Sequence, residues 1–186
     1  MNVKDVMVTD VSACRPESNL AEAAASMWIS RCAELPVVDG SGHVLSLITN
    51  QDICAAKDSR NMRALEIHVK DVSLPRALSC DADDNVQLAF KRMVSQKVPR
   101  IPVVDHDRKL VGIVSIGGLL QRSEDRPNKL GISHEDVVNA AASIEKADST
   151  RAREHARAAH RTGLLRTICN LVLGPVNGAA ERIQPL

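Results

Sequence analysis

The feature that most constrains this chain is an internal repeat. Residues 35–39 have the sequence LPVVD, and residues 101–105 have the nearly identical sequence IPVVD. A shift of 66 positions superposes these segments, and the same shift superposes VKDV at residues 3–6 on VKDV at residues 69–72. One shift holds from the first match to the last, so no insertion or deletion separates the copies. The chain is therefore a tandem duplication whose halves are expected to share one fold.

Both copies predict the same order of elements, β-α-β-β-α. After a short first strand, apolar residues recur at positions i, i+3, i+4 and i+7, which indicates a helix with one buried face. Two apolar runs joined by a polar turn follow, which is typical of a β-hairpin. In copies one and two, the predicted elements are a capped segment (3–7, 69–73), a strand (11–14, 77–80), a helix capped by Asn19 or Asn85, a strand closing on PVVD, a strand (44–48, 110–114), and a helix starting near Asn50 or Ile116.

The predicted fold class is α+β. The sheet of one copy is too small to be stable alone, so the two copies are expected to pack sheet against sheet by pseudo-twofold symmetry. Pro36 and Pro102 are expected to open their strands, where the ladder needs no N–H donor. The predicted domain limits are 1–66 for the first motif, 67–126 for the second and 127–186 for a helical C-terminal extension.

The charges of the chain nearly cancel, with 24 Lys and Arg against 23 Asp and Glu. This balance gives no reason to expect nucleic acid or a membrane surface as the main partner. No apolar run approaches the roughly 18–20 residues that a membrane span requires, and the first ten residues lack the apolar stretch of a signal peptide. We therefore expect a cytoplasmic protein.

The sequence offers no constellation of catalytic or metal-binding residues. The five cysteines include no C-x-x-C pair, and no histidines cluster at zinc spacing. No Ser/His/Asp or Cys/His arrangement is visible either. Trp28 and Phe90 are the only aromatic side chains besides histidine, which leaves few faces for stacking nucleic-acid bases. We expect no catalytic site, no metal and no required cofactor.

The order strand, helix, h-P-V-V-D, polar turn, h-h-h-[ST]-x-x-D resembles the cystathionine-β-synthase (CBS) motif, and the tandem pair resembles a Bateman module. The resemblance covers roughly residues 1–122. It implies two quasi-symmetric clefts between the paired motifs, which commonly hold adenine nucleotides such as AMP, ADP or ATP. It also implies a regulatory rather than a catalytic role, and a homodimer.

Thr49 and Asp52 are the first candidates for ligand binding. A hydroxyl at a strand end and a carboxylate one helical turn later point in the same direction, and a carboxylate suits the adjacent hydroxyls of a ribose. An aspartate in the first turn of a helix is also favoured by the helix dipole, whatever it binds. The spacing alone favours the helix-dipole explanation, whereas the resemblance favours ribose binding.

The second copy departs from this pattern. Ser115 stands where the first copy has Thr49, and Gly118 stands where it has Asp52, so the second nucleotide site is in doubt. Arg100 corresponds to Glu34 of the first copy. The resemblance implies that a basic residue there reaches phosphates held by the other motif, whereas a glutamate would repel them. Arg100 is equally compatible with a solvated charge at a strand edge.

The resemblance implies that backbone groups and apolar side chains hold the adenine. The candidates, chosen by position only, are Val11, Ser12, Ala13, Leu47 and Ile48.

The composition changes after residue 122. Pro127 and Gly131 punctuate a polar linker, and Ser133 with Asp136 predicts a capping box at the start of a long helix. An apolar segment at 164–173 is too short to span a bilayer and needs cover from the module, a second copy or another protein. One face of the long helix is basic: Arg151, Arg153, Arg157 and Arg161.

The leading hypothesis is a regulatory module that binds an adenine nucleotide or a related adenosine compound between its motifs. It would signal through its dimer arrangement and through the tail, which would contact a regulated protein. One alternative is a dimeric interaction scaffold with vestigial clefts. The other is binding of an anionic partner such as nucleic acid by the arginine-rich helix, which the balanced charge makes the weakest of the three.

Overall fold

The computed structural model describes residues 1–60, 62–72, 77–125 and 130–161, with only the backbone given for 124–125 and 148–161. Short 3-10 turns lie at Val3–Asp5, Ala64–Glu66 and Val69–Asp71. The helices in the described residues are α1 Leu20–Ile29, α2 Asn50–Arg60, α3 Val86–Gln96, α4 Ile116–Asp125 and α5 His134–Arg161, and the strands are β1 Glu34–Val38, β2 Val44–Thr49, β3 Cys80–Asp81, β4 Arg100–Val104 and β5 Leu110–Ser115.

The helix that follows the first strand segment starts as predicted in both repeats. Asn19 Oδ1 accepts a hydrogen bond from Glu22 N at 2.9 Å, and Asn85 Oδ1 accepts one from Gln87 N at 2.8 Å. These amides satisfy backbone donors that have no partner within the helix. The predicted apolar face of each helix is buried: Leu20, Ala23 and Met27 in α1, and Val86, Ala89 and Met93 in α3.

Each repeat contains an antiparallel hairpin, β1 with β2 and β4 with β5. The core face of the first hairpin carries Leu35, Val37 and Ile48, which pack against α1 and α2. The core of the second repeat is built from equivalent residues and helices α3 and α4. Since side chains alternate along a strand, the opposite face of each hairpin carries a second set of residues, which includes the candidate site.

The predicted strand at 11–14 is wrong, because the structure has only one bridge there, between Cys14 and Val37. Its equivalent in the second repeat is the two-residue strand β3, parallel to β4. Cys14 N donates to the carbonyl of Pro36 at 3.0 Å. The next bond towards the N-terminus would require an N–H on residue 36, which proline lacks.

The sequence suggested that Pro36 is the first residue of its strand, and this prediction is wrong. Pro36 is the third residue of β1 and pairs with Leu47 of β2. Its carbonyl points towards Cys14, so its missing donor removes no bond from the hairpin with β2. Its effect is instead to keep the neighbouring parallel ladder short.

The two VKDV segments exchange between the repeats. Val3 lies in the core of the second repeat, whereas Val69 lies in the core of the first. Val3 N donates to the carbonyl of Asp84 at 2.9 Å, and Val69 N donates to the carbonyl of Ser18, at the equivalent position, also at 2.9 Å. Each copy thus completes the hydrophobic core of the other, which ties the halves together about the pseudo-twofold axis. The limits 1–66, 67–126 and 127–186 remain a prediction for the domain organisation.

Helix α5 begins as predicted. Ser133 Oγ accepts a hydrogen bond from Asp136 N at 3.0 Å and donates one to Asp136 Oδ2 at 2.7 Å. The first half of the helix packs on the second repeat through Val137, Ala140 and Ile144. The predicted basic face at 151–161 and the apolar segment at 164–173 lie outside the described side chains. None of the helices in the described ranges is long and apolar enough to cross a membrane.

Candidate functional site

Thr49 and Asp52 form a capping box between the end of β2 and the first turn of α2. Asp52 Oδ2 accepts hydrogen bonds from Thr49 N at 2.8 Å and from Thr49 Oγ1 at 2.7 Å. Thr49 Oγ1 in turn accepts one from Asp52 N at 3.2 Å. These bonds hold the carboxylate at the N-terminus of the helix, where the dipole favours a negative charge. No residue in the described part of the chain donates to Asp52 Oδ1, so this oxygen is open to a ligand hydroxyl.

Two strand-end pairs bring further polar groups to the same region. Glu34 lies opposite Thr49 in the first hairpin, and Arg100 lies opposite Ser115 in the second. Opposed residues of an antiparallel pair have their side chains on one face, about 5 Å apart at Cβ. The carboxylate of Glu34 is thus a neighbour of the Thr49–Asp52 box.

An ion pair joins the two hairpins at this point. Arg100 Nε lies 3.6 Å from Glu34 Oε1, and the side chains of Arg100 and Glu34 are 35% and 12% exposed, respectively. These residues occupy equivalent positions in the two repeats, so the contact lies where the strand ends meet across the pseudo-twofold axis. The ion pair places Arg100 of the second repeat next to the strand end of the first repeat at which Glu34 lies opposite Thr49.

The ion pair between Arg100 and Glu34 was not predicted from the sequence, and a ligand-binding role for Arg100 stays a prediction. Among the described residues, no hydrogen bond or ion pair joins Arg100 to Asp52; its guanidinium contacts Glu34 instead. The signal was present in the repeat, since a shift of 66 positions equates an arginine with a glutamate. Residues equivalent in this way meet when they lie near the symmetry axis, and opposite charges then form a pair.

The second repeat has the same backbone but no carboxylate. Ser115 Oγ accepts a hydrogen bond from Gly118 N at 3.0 Å, as Thr49 Oγ1 does from Asp52 N in the first repeat. Gly118 has no side chain to accept a ribose hydroxyl. The two turns are therefore chemically different.

The adenine candidates fall into different environments. Ile48 is fully buried in the core of the first repeat, so only its backbone faces away from that core. Leu47 lies on the opposite, half-buried face of β2, which is the face of Thr49. Ser12 Oγ shares a hydrogen bond of 2.6 Å with Ser30 Oγ at the end of α1. Val11 and Ala13 are half-buried.

The buried cysteines are suited to packing rather than to chemistry. Burial raises the pKa of the Cys14 thiol to about 11 and that of the Cys80 thiol to about 12. Both are therefore protonated at neutral pH and are poor nucleophiles. Within the residues that the structure describes, no three His, Cys, Asp or Glu side chains are grouped closely enough to hold a metal ion.

Two consecutive repeats with this topology, in contact through an ion pair at their strand ends, define a tandem two-motif module. The family model of the CBS domain matches residues 3–59 and again residues 69–125. The chain belongs to the CBS-domain family, which confirms the resemblance seen in the sequence. A CBS domain pair is a regulatory module rather than a catalytic one.

A similar pair occurs within a larger enzyme. The chain is 29% identical over 118 residues to an inosine-5′-monophosphate dehydrogenase of Methanocaldococcus jannaschii. The match covers 63% of this chain but only 23% of the enzyme. The chain thus spans less than a quarter of this relative.

Solved structures share the fold. CBSX2, determined in complex with AMP, has a TM-score of 0.58 at 22% identity, covering 67% of this chain and 96% of CBSX2. The CBS domain pair of protein MJ0100, determined with 5′-methylthioadenosine and S-adenosyl-L-methionine, has a TM-score of 0.57 at 23% identity, covering 66% of this chain and 98% of that one. At these identities the likeness establishes the fold alone.

Proposed function

We propose that the chain is a non-catalytic regulatory module that binds an adenosine ligand in the cleft of the first repeat. The Thr49–Asp52 box carries this proposal, because it presents a fixed carboxylate oxygen at the end of a strand beside the junction of the two repeats. The ligands of the two similar structures, AMP in one and methylthioadenosine with S-adenosylmethionine in the other, share an adenosine group. The ribose is common to all three, which agrees with a carboxylate that accepts its hydroxyls.

The binding roles follow from position. Asp52 Oδ1 accepts from the ribose, while Leu47 and the backbone of residues 11–13 contact the adenine. Arg100 and Ser115 line the far side of the cleft, on the second repeat. A ligand held in this way touches both repeats and favours whichever arrangement of them it fits better. Signalling would pass through a homodimer and the C-terminal tail, and the cytoplasmic location also remains a prediction.

Calorimetry tests the binding role of Asp52. We expect about one adenosine ligand per chain, and Asp52→Ala should weaken binding by roughly tenfold or more because a charge-assisted hydrogen bond is lost. The titrations use AMP and methylthioadenosine, so that a preference for either does not hide binding. Unchanged affinity in Asp52→Ala would remove this carboxylate from the site.

A matched variant separates binding from helix capping. Glu22 accepts a hydrogen bond from Asn19 N at 3.2 Å in the capping box of α1. Glu22→Ala should remove a comparable capping hydrogen bond. We expect it to lower the unfolding free energy by about 1 kcal/mol and to leave ligand affinity unchanged. If both variants lower affinity equally, the loss reflects stability and not the ribose contact.

An interaction scaffold is the second candidate, and one surface favours it. Trp28 and Ile29, at the end of α1, are 85% and 79% exposed. Two large apolar side chains side by side in water indicate a surface that another protein covers. A thermal-shift screen separates the candidates, because a ligand that binds the folded state must raise the melting temperature. No shift with any adenosine compound would favour the scaffold.

A further inference from the structure

We propose that Glu34 makes the first cleft select adenosine ligands whose 5′ substituent is uncharged or cationic, and that it discriminates against a 5′-phosphate. This inference rests on the proposed function and concerns the same cleft. It names the ligand class and assigns the discrimination to one side chain of the first repeat.

An arginine facing a cleft is suited to phosphate because its guanidinium donates in a planar fork and stays charged. Here Glu34 Oε1 lies 3.6 Å from Arg100 Nε, so a carboxylate already occupies the neighbourhood of that charge. A phosphate can use Arg100 fully only if it displaces Glu34 or lies beside it.

Glu34 is fixed in β1, with Leu35 buried next to it and Thr49 opposite, so its backbone cannot withdraw without disturbing the hairpin. Its side chain is only 12% exposed, which leaves little solvent to screen it. A phosphate near Arg100 would therefore lie close to a poorly screened carboxylate of like charge.

Asp52, Glu34 and Arg100 contribute two carboxylates and one guanidinium. A ligand with a neutral 5′ group keeps the Glu34–Arg100 pair intact, and one with a cationic 5′ group gains a partner in Glu34. A 5′-phosphate adds a third negative centre to this arrangement. Because the carboxylates already outnumber the guanidinium, the site should favour ligands that lack a 5′-phosphate.

The test compares four ligands on the full chain by calorimetry: adenosine, AMP, methylthioadenosine and S-adenosylmethionine. We expect adenosine and the two sulfur compounds to bind at least about tenfold more tightly than AMP, a difference of the size of one charge contact. In Glu34→Gln, AMP should gain about tenfold while adenosine changes by less than about threefold, because only the phosphate senses the removed charge.

Glu66→Gln is the control for net charge. Glu66 pairs with Arg63 on the surface, with Arg63 Nη2 3.0 Å from Glu66 Oε1, so its loss changes the total charge equally without altering the cleft. This variant should leave the ratio of AMP to adenosine affinity unchanged.

The outcomes distinguish the selectivity from the proposed function. If the wild-type chain binds AMP more tightly than adenosine, the selectivity is refuted while adenosine binding stands. If adenosine is preferred but Glu34→Gln leaves the ratio unchanged, Glu34 is not its cause and the inference fails. If none of the four ligands binds, the proposed function and the selectivity fail together.

Discussion

At the scale of single residues, the turns that join the hairpin to the next helix differ between the repeats by one carboxylate, that of Asp52. Gly118 N already donates to Ser115 Oγ at 3.0 Å, so the backbone of the second repeat has the conformation that the Asp52 site uses. A Cβ at Gly118 would lie 3.2 Å from Ser115 Oγ, a tight contact with the hydroxyl that an aspartate would bond. The absence of a side chain at position 118, rather than a different backbone, accounts for the missing acceptor.

Gly118→Asp should therefore create a second site. The new carboxylate lies in the first turn of α4, where the helix dipole favours it, and should add about 0.5–1 kcal/mol to stability. We expect the calorimetric stoichiometry with adenosine to rise from about one to about two per chain. Gly118→Ala is the control, because it restores a Cβ without the carboxylate. A stoichiometry that stays near one in Gly118→Asp would show that a carboxylate is not sufficient.

The sequence predicted that Asp52 lies in the first turn of a helix one turn after Thr49, but it did not predict the contact between Glu34 and Arg100. Thr49 and Asp52 are three residues apart, so their hydrogen bonds follow from local helix geometry. Glu34 and Arg100 are 66 residues apart, and their contact depends on how the repeats are placed against each other. Periodicity does not give that placement.

At the scale of elements, the first strand predicted for each repeat is reduced to a single bridge at Cys14 in the first repeat and to the two residues of β3 in the second. The pattern at 11–14 is apolar enough for a strand, but Pro36 cannot donate the hydrogen bond that would extend the ladder. The same reasoning applies to β3, which begins at Cys80, opposite Val103 and just after Pro102. The sequence analysis expected Pro36 at the start of its strand because it considered a single neighbouring strand. In the structure β1 has β2 on one side and the segment at Cys14 on the other, and the proline nitrogen faces the second of these.

A glycine in β5 marks where the N-terminal segment joins the second repeat. Val8 N donates to the carbonyl of Ile113, and Ile113 N donates to that of Val8, both at 2.9 Å. A Cβ at Gly112 would lie 2.8 Å from Val8 O and 2.7 Å from Met7 Sδ. The close approach of two backbones therefore requires glycine here.

Gly112→Ala should destabilise the protein by about 1–3 kcal/mol, because the paired backbone of Val8 cannot retreat without losing hydrogen bonds. Urea denaturation measures the change in unfolding free energy. Gly117→Ala is the matched control: no atom lies within 4 Å of its added Cβ, and alanine favours a helix, so stability should stay equal or rise by up to about 1 kcal/mol. Equal losses in both variants would contradict the backbone-contact argument.

At the scale of the whole molecule, the exchange of the VKDV segments couples the two repeats. The duplication itself was predictable from the sequence, because one shift superposes the copies without gaps. Which core each segment enters was not, since Val3 and Val69 begin identical VKDV segments. Only long-range packing distinguishes the two possibilities.

Val3→Ala should reveal this coupling. Val3 is fully buried in the core of the second repeat, so losing two methyl groups there should cost about 2–3 kcal/mol. Hydrogen exchange should show that α1 in the first repeat loses as much protection as α3 in the second. Lys4→Ala, at an exposed ion pair with Asp83, should change little. Loss of protection confined to α3 would show that the repeats unfold independently.

The exchange also sets an order of events while the chain is being synthesised. The first repeat has all its core residues once Val69 has left the ribosome, whereas Val3 and Val6 have no partners until the later half, up to Ile144, has been made. At roughly 5–20 residues per second, this interval of about 75 residues lasts between about 4 and 15 seconds. During that time the beginning of the nascent chain exposes apolar side chains, and a chaperone that shields it would serve the second repeat more than the first.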